Sequence, residues 1–318
     1  MTDRDPNRTD DATAADRYPP VTVVVATRDR PGLLERAVRA VLDQDYPGPV
    51  ECVVVYDHTD IRELDLDVPA GRTLRYVNNT HSRGLPGGRN TGADEATSAL
   101  LAFCDDDDFW LPAKLRRQVE LLAERPDAAA ASCGIRLEGP GIAKERRLDR
   151  AEVTLSDFVE DRVMEVHSST LLVRRSTWDA IGPVDEELPG GYGEDYEWLL
   201  RIAAHGPVVI VPEVLVVVDW HGGSFFFGRW ATIVEATRYL LDKHPELAGS
   251  RTGLARLHGQ IAFALASGRR RREAVRELGR VVRLNPYEKR VLVTVPVVLG
   301  LLSGERVLRL AQRTGRGV

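Results

Sequence analysis

From Val21 the chain alternates short, β-branched apolar runs with longer segments whose apolar residues recur at helical spacing. The run "VTVVVAT" (21–27) is apolar without alternation, as a strand buried on both faces should be. "LLERAVRAVLDQ" then sets Leu34, Val38, Val41 and Leu42 on one side of a helix. "VECVVVYD" predicts a second buried strand, "TLRYVNN" a shorter third and "ALLAFC" a fourth. Between the last two, "GGRNTGADEATS" opens a helix with Asn90 or Thr91 as N-cap, and "AKLRRQVELLAER" is a further amphipathic helix. Strands alternating with helices in this way predict an α/β domain built on a mostly parallel sheet covered on both faces.

Residues 130 to 225 are more mixed. "STLLVRRSTWDAIG" holds a strand and a short helix, "GYGEDYEWLLRIAAHG" a loop entering a helix, and "VVIVPEVLVVVDWH" apolar strands. From about 229 the pattern is helical, and "GQIAFALASGRRRREAVRELGRVVRLNP" predicts a helical hairpin broken at Gly268 and stopped near Pro286. It is like one tetratricopeptide-type unit, and one copy cannot form a solenoid, so it is a helical appendage. The expected organisation is a disordered leader over 1–19, an α/β domain over 20–228 and a helical C-terminal region over 229–318.

Composition narrows the function. A net charge of −5, with 43 basic against 48 acidic residues, argues against nucleic acid as a partner. The leader is polar and acidic without an apolar core, so it is no secretory signal. Cys52, Cys104 and Cys133 form no CxxC pair and suit small buried hydrophobes in a reducing compartment. The run "VLVTVPVVLGLL" (291–302) falls short of the ~20 apolar residues a spanning helix needs, and Pro296 interrupts it. A packed core segment is the first reading of this run; the basic residues before it, Lys289 among them, make shallow contact with an anionic membrane face the second.

Polar clusters follow three of the strands: "TRDR" at 27–30, "YDHTD" at 56–60 and "DDDD" at 105–108. In parallel sheets ligands sit beyond the carboxyl ends of the strands, so the three predict one site. Four adjacent carboxylates repel one another unless a cation rewards them. On an extended segment Asp105 and Asp107 point to one side and Asp106 and Asp108 to the other. A same-side pair can hold Mg²⁺ or Mn²⁺, with coordination positions left for phosphate oxygens or water. The alternative is a solvated acidic loop; the buried strand before the run and "FWLP" after it favour the metal. The loop lacks an EF-hand's glycine and glutamate, and "GLPGG" (84–88) is no P-loop, its glycines serving close backbone approach to a ligand or a tight turn.

In combination these motifs resemble family 2 inverting glycosyltransferases, whose catalytic domain is the GT-A fold. The likeness spans roughly residues 21 to 225. It is carried, in order, by the segment from "VTVVVATRDRPG" to "VVVYD", by "SRGLPGGRNTGADEA", by "FCDDDDFWLPAKL", by "GEDYEWLLR" and by "DWHGGS". The resemblance implies that Thr27, Arg28 and Asp57 lie at the base of a nucleotide-sugar, usually uridine, with Arg83 and Arg89 as cations near the donor. It places Asp106 near the ribose, Asp105 and Asp107 as the DxD frame with Asp107 the direct metal ligand, and His221 where a histidine completes the metal shell. Asp195 matches the catalytic base. Glu194 would orient the acceptor or cap the following helix, and Trp110 is the aromatic nearest the aspartates for an acceptor to meet.

"YDHTD" and "VATRDR" depart from the family's usual sequences at the base pocket, so the nucleotide is less defined than the reaction. That reaction is transfer of a sugar from a nucleotide-diphosphate donor to a glycan or lipid-linked acceptor, by a cytoplasmic enzyme working at the inner membrane surface. Two other readings are a sugar-phosphate nucleotidylyltransferase, disfavoured because no Gly-rich basic turn follows the first strand, and a non-catalytic nucleotide-sugar binder or scaffold, disfavoured by the intact "DDDD" and "GED". The donor sugar, the acceptor and the linkage are not legible.

Overall fold

A computed structural model describes residues 17–220 and 226–312. Strands β1 (Val21–Thr27), β2 (Val50–Tyr56), β3 (Arg72–Asn78) and β4 (Leu100–Asp105) run parallel in the order β3-β2-β1-β4. The sheet continues through the antiparallel β9 (Leu172–Arg174) into β6 (Ala130–Gly139) and β10 (Val208–Asp219), which are parallel to each other. The short strands β5 (Phe109–Trp110), β7 (Ile142–Arg146) and β8 (Glu152–Val153) add antiparallel edges. The sheet is therefore parallel in its first half, as the alternation predicts, and mixed in its second.

Unbroken apolar strands are explained by the two cores they serve. Val21, Val23 and Val25 pack with Leu34, Val38 and Val41 of α1 (Pro31–Leu42), whereas Val24 faces the other way, with Val53, Leu101 and Phe103. α1 and α3 (Lys114–Glu124) cover the first face. α5 (Arg175–Ile181) and α6 (Glu194–His205) cover the second, where Phe103, Trp178 and Trp198 meet at ring distances of 5.2–5.8 Å. α4 (Leu155–Glu160) lies beside α6. The three cysteines are free and buried in this double-sided core or at its strand ends.

The expected N-caps Asn90 and Thr91 are instead buried in mid-helix, because α2 starts earlier and spans Leu85–Asp94. Gly84 at φ 115° and Pro86 in the first turn start it. The amide of Asn90 pairs with both backbone groups of Val184, at 2.8 and 2.9 Å, and Thr91 donates to Asn79. The close approach that these glycines allow is to protein: a methyl on Gly92 would lie 2.2 Å from Val24, and one on Gly87 1.9 Å from the Ser82 carbonyl.

The C-terminal helices are α7 (Trp230–Lys243), α8 (Arg251–Ser267), α9 (Arg271–Leu284), α10 (Arg290–Val298) and α11 (Gly304–Gln312). α8 and α9 form the expected hairpin, with Gly268 ending α8 and Asn285, before Pro286, ending α9. They enclose a third core of Ile233, Val234, Ile261, Phe263, Val297 and Val307. The apolar run 291–302 supplies α10, and no described helix is long and apolar enough to cross a membrane. Most of the expected leader lies outside the described residues. Tyr18, within it, is instead packed edge-on against Tyr46 at 5.6 Å, since an aromatic ring gains by leaving water.

Candidate active site

Register decides which side chains gather at the strand ends. Thr27 is level with Tyr56, and Tyr56 with Asn78, so Thr27, Asp57 and Asn79 leave the sheet together. Asp57 Oδ1 accepts from the Asn79 amide at 2.9 Å and from the Gly84 N–H at 3.0 Å, while Arg28 stands 3.9 Å from Oδ2. Thr27 Oγ1 donates to Asp106 at 2.7 Å. The residues expected around a nucleotide base thus form one hydrogen-bonded group. Arg83 lies nearby in sequence and is exposed.

The four aspartates do not share an extended segment. β4 ends at Asp105 and the chain turns, with the Asp108 N–H donating to the Asp105 carbonyl at 3.1 Å. This removes the extended geometry assumed for the pairing of Asp105 and Asp107, although Asp107 lines the same cleft as Asp105. Asp107 takes Arg30 at 3.0 Å, and Arg30 also reaches Asp106 at 3.2 Å. The turn instead brings Asp108 round towards Asp105, and His167 joins them: one ligand atom from each lies within 4.8 Å of the others.

His167 supplies the test of whether a cation fits. Its Nε2 is buried without a hydrogen-bond partner, and burial holds the imidazole down at about 4, hence neutral, with a lone pair on one ring nitrogen. Asp108 is pushed well up by burial and by Asp105 beside it, a repulsion that a divalent cation would relieve. Two carboxylates and one neutral imidazole suit a first-row divalent ion such as Mn²⁺ better than an all-oxygen Mg²⁺ site. His221 lies outside the described residues.

Arg89 is not a free cation for the donor. It is 3 % exposed, and its guanidinium donates to Asp105 at 2.7 Å, Glu194 at 2.7 Å and Ser168 at 2.9 Å. Burial alone would raise Asp105, but Arg89 overrides it and holds that carboxyl below its ordinary value. Glu194, more deeply desolvated, is raised by burial to about 7 despite the same partner. Glu194 is therefore held in the ion network at the wall of the cleft, beside Asp195. Trp110 is 2 % exposed, its indole N–H given to the Ser169 carbonyl at 2.9 Å and its ring covered by Lys114, so it offers no stacking face.

Asp195 follows Glu194 in the first turn of α6, which begins at the left-handed Gly193. Its Oδ1 accepts the Tyr196 N–H at 2.7 Å and its Oδ2 accepts from Arg162. Asp105, Asp108, His167 and Asp195 all line one cleft of about 630 Å³, and Arg89 connects the acidic cluster to the residue beside Asp195. His167, Ser168 and Arg162 were not expected here, and Asp108 was expected in the acidic cluster but not as the partner of Asp105; "VHSS" carries no motif, and only the fold brings it beneath the aspartates.

Asp106 yields a pH prediction. Burial raises it from 3.8 to about 6, against the pull of Thr27 and Arg30. A carboxyl raised on folding binds its proton more tightly in the folded state. Its stabilisation is complete below the unfolded value and is lost as pH rises through the folded one. Urea unfolding between about pH 4 and pH 7 should show a loss of up to about 3 kcal/mol that Asp106→Asn removes. Equal slopes in the two proteins would show that Asp106 ionises normally.

Comparison with known proteins places this geometry. Residues 22–179 match the model of "Glycosyl transferase family 2". A GalNAc(5)-diNAcBac-PP-undecaprenol beta-1,3-glucosyltransferase of Campylobacter jejuni is 28 % identical over 149 residues, 44 % of this chain and 48 % of that protein. The chain spans about half the length of the curated relatives first matched. Among solved structures, S. aureus TarS 1-349 in complex with UDP superposes with a TM-score of 0.54 at 16 % identity, covering 93 % of this chain and 92 % of that one. The mannosyltransferase PcManGT of Pyrobaculum calidifontis, in complex with GDP-Man and Mn²⁺, gives 0.55 at 20 % identity, covering 93 % and 84 %. The architecture is thus the GT-A type with C-terminal helices, as the motif order implies.

Proposed function

Because the chain belongs to glycosyl transferase family 2, we propose that it transfers a sugar from a nucleotide-diphosphate donor, with uridine as the base, to an acceptor hydroxyl with inversion. The observation that carries this is the shared cleft, with the Asp105–Asp108–His167 cluster and Asp195 joined through Arg89 and Glu194.

In this reading Thr27, Asp57 and Asn79 bind the base end of the donor. Asp105, Asp108 and His167 would hold Mn²⁺ or Mg²⁺, which when bound supplies Lewis-acid stabilisation of the charge on the departing diphosphate. Asp195 takes the proton of the attacking hydroxyl as the anomeric carbon gains oxocarbenium character, and one displacement from the opposite face inverts the centre. Arg162 and the Tyr196 N–H hold its carboxylate in place. The cleft also has an apolar lining, with Phe226, Phe227, Trp230, Phe263 and Leu308 among it. That wall suits an acceptor with a lipid part, in line with the undecaprenol-linked substrate named for the Campylobacter relative.

The test is a thermal-shift series with UDP-, GDP- and dTDP-sugars, each with and without Mn²⁺. A UDP-sugar with Mn²⁺ should stabilise most, by about 2.7 kcal/mol at a hundredfold excess over its dissociation constant. His167→Ala should remove the Mn²⁺-dependent part and keep the rest. No shift with any nucleotide-sugar would end the donor assignment; a full Mn²⁺ effect in His167→Ala would move the metal elsewhere.

A further inference from the structure

The C-terminal helices expose apolar side chains where a helix in water normally carries polar ones. α10 turns Thr294 and Val297 inward, and Val297 joins the third core. On its other side Leu292, Val295 and Leu299, spaced i, i+3 and i+7, are 75, 40 and 65 % exposed, with Tyr287 before them and Leu301 after them at 88 and 70 %. Such a row is larger than the scattered apolar residues of an ordinary surface.

Charge says what covers it. Residues 269–312 hold eleven arginines and lysines against four glutamates, in a chain of net charge −5. Arg270, Arg280 and Arg290 are neutralised by Glu273, Glu277 and Glu288. Arg271, Lys289, Arg306 and Arg309 have no carboxylate partner among the described residues. Arg271 borders the apolar row, its guanidinium 3.0 Å from where a methyl on Gly300 would lie, between Leu299 and Leu301; Lys289 precedes α10, and Arg306 and Arg309 sit on α11 with the exposed Leu310.

We propose that this face of α10, with the turn that follows it, docks on an anionic phospholipid surface. The leucines enter the boundary between headgroups and acyl chains, and the unpaired cations meet lipid phosphates. A second copy of the chain would suit the face less well, because a two-fold contact sets the same cations against one another. The proposal deepens the lipid-linked acceptor reading and rests on it. Arg290 and Leu308, from the same two helices, line the cleft, so docking brings the acceptor end of the site to the membrane.

The test is flotation of the full chain with vesicles of phosphatidylcholine alone and of phosphatidylcholine mixed with phosphatidylglycerol, with no donor present. Binding is expected only to the mixed vesicles and should weaken with salt. The pair Leu299→Ser and Leu301→Ser, and separately Arg271→Glu with Arg306→Glu, should each lower partitioning by roughly tenfold or more. Both variants should keep the parent's melting temperature and its UDP-sugar shift. Absence of binding to the mixed vesicles, or binding indifferent to both variants, overturns the proposal. So does a concentration-dependent dimer in sedimentation that the leucine variant dissolves. Because the assay contains no reaction, docking can fail while sugar transfer stands, and the reverse.

Discussion

Replacing Asp195 by asparagine should lower sugar transfer by roughly 10²–10⁴-fold while donor and Mn²⁺ shifts stay at parental size. The substitution changes little in volume. The carboxamide oxygen of the Asp195→Asn variant would still accept the Tyr196 N–H that Asp195 accepts at 2.7 Å, so the first turn of α6 is retained. What is lost is the acceptor of a proton at the point where α6 meets the cleft. The measurement is turnover of a UDP-sugar with acceptor, alongside thermal shift by UDP and Mn²⁺ without it. Turnover within threefold of the parent would place the base elsewhere. Loss of both turnover and donor shift would make Asp195 part of the binding site and leave the base unassigned. Arg162 gives a useful contrast: Arg162→Gln removes a cation from Asp195 and should perturb turnover far less than removing the carboxylate.

What the sequence made legible follows from how many constraints each residue satisfies locally. β1, β2 and β4 were readable because both their faces are buried, so nearly every position in them is apolar. The gathering of polar residues at the strand ends was readable too, since residues directly after such strands must face the sheet's carboxyl edge. The candidate ligand set was not. Whether Asp107 or Asp108 joins Asp105 depends on a turn at 106–107, and an acidic run gives no local sign of where it bends. His167 is separated from Asp105 by more than sixty residues and reaches it only because β9 pairs with β4 just after it. Lys114 shows the same limit from the polar side. It reads as a solvated helix residue, yet it is fully buried against Trp110 and Gln118, and burial lowers it to about 8. The resemblance implies Arg89 as a cation near the donor. The fold buries it because two carboxylates from different elements need one shared partner.

That sharing makes Arg89 the position of largest expected effect on stability. Arg89→Met keeps the stem's apolar contacts but leaves Asp105 and Glu194 facing each other in the interior without their cation. Breaking a buried ion network by removing one member costs about 3–5 kcal/mol, since the charges left behind remain desolvated. The melting temperature should therefore fall by roughly 5–8 °C. Lysine should not restore it, because one ammonium cannot present the planar fork that now meets Asp105, Glu194 and Ser168 together. Neutralising the partners should: Arg89→Met combined with Asp105→Asn and Glu194→Gln removes the stranded charges and should regain most of the lost stability. The triple variant should nevertheless fail to show a Mn²⁺ shift, since position 105 no longer carries a carboxylate. Thermal melts of the single, lysine and triple variants, with and without Mn²⁺, separate the arginine's electrostatic role from its packing. A single variant as stable as the parent would mean that the two carboxylates are protonated or hydrated rather than held by Arg89. Burial would then have raised Asp105 as it raises Glu194, and the cluster beneath β4 would hold too little negative charge to bind a cation.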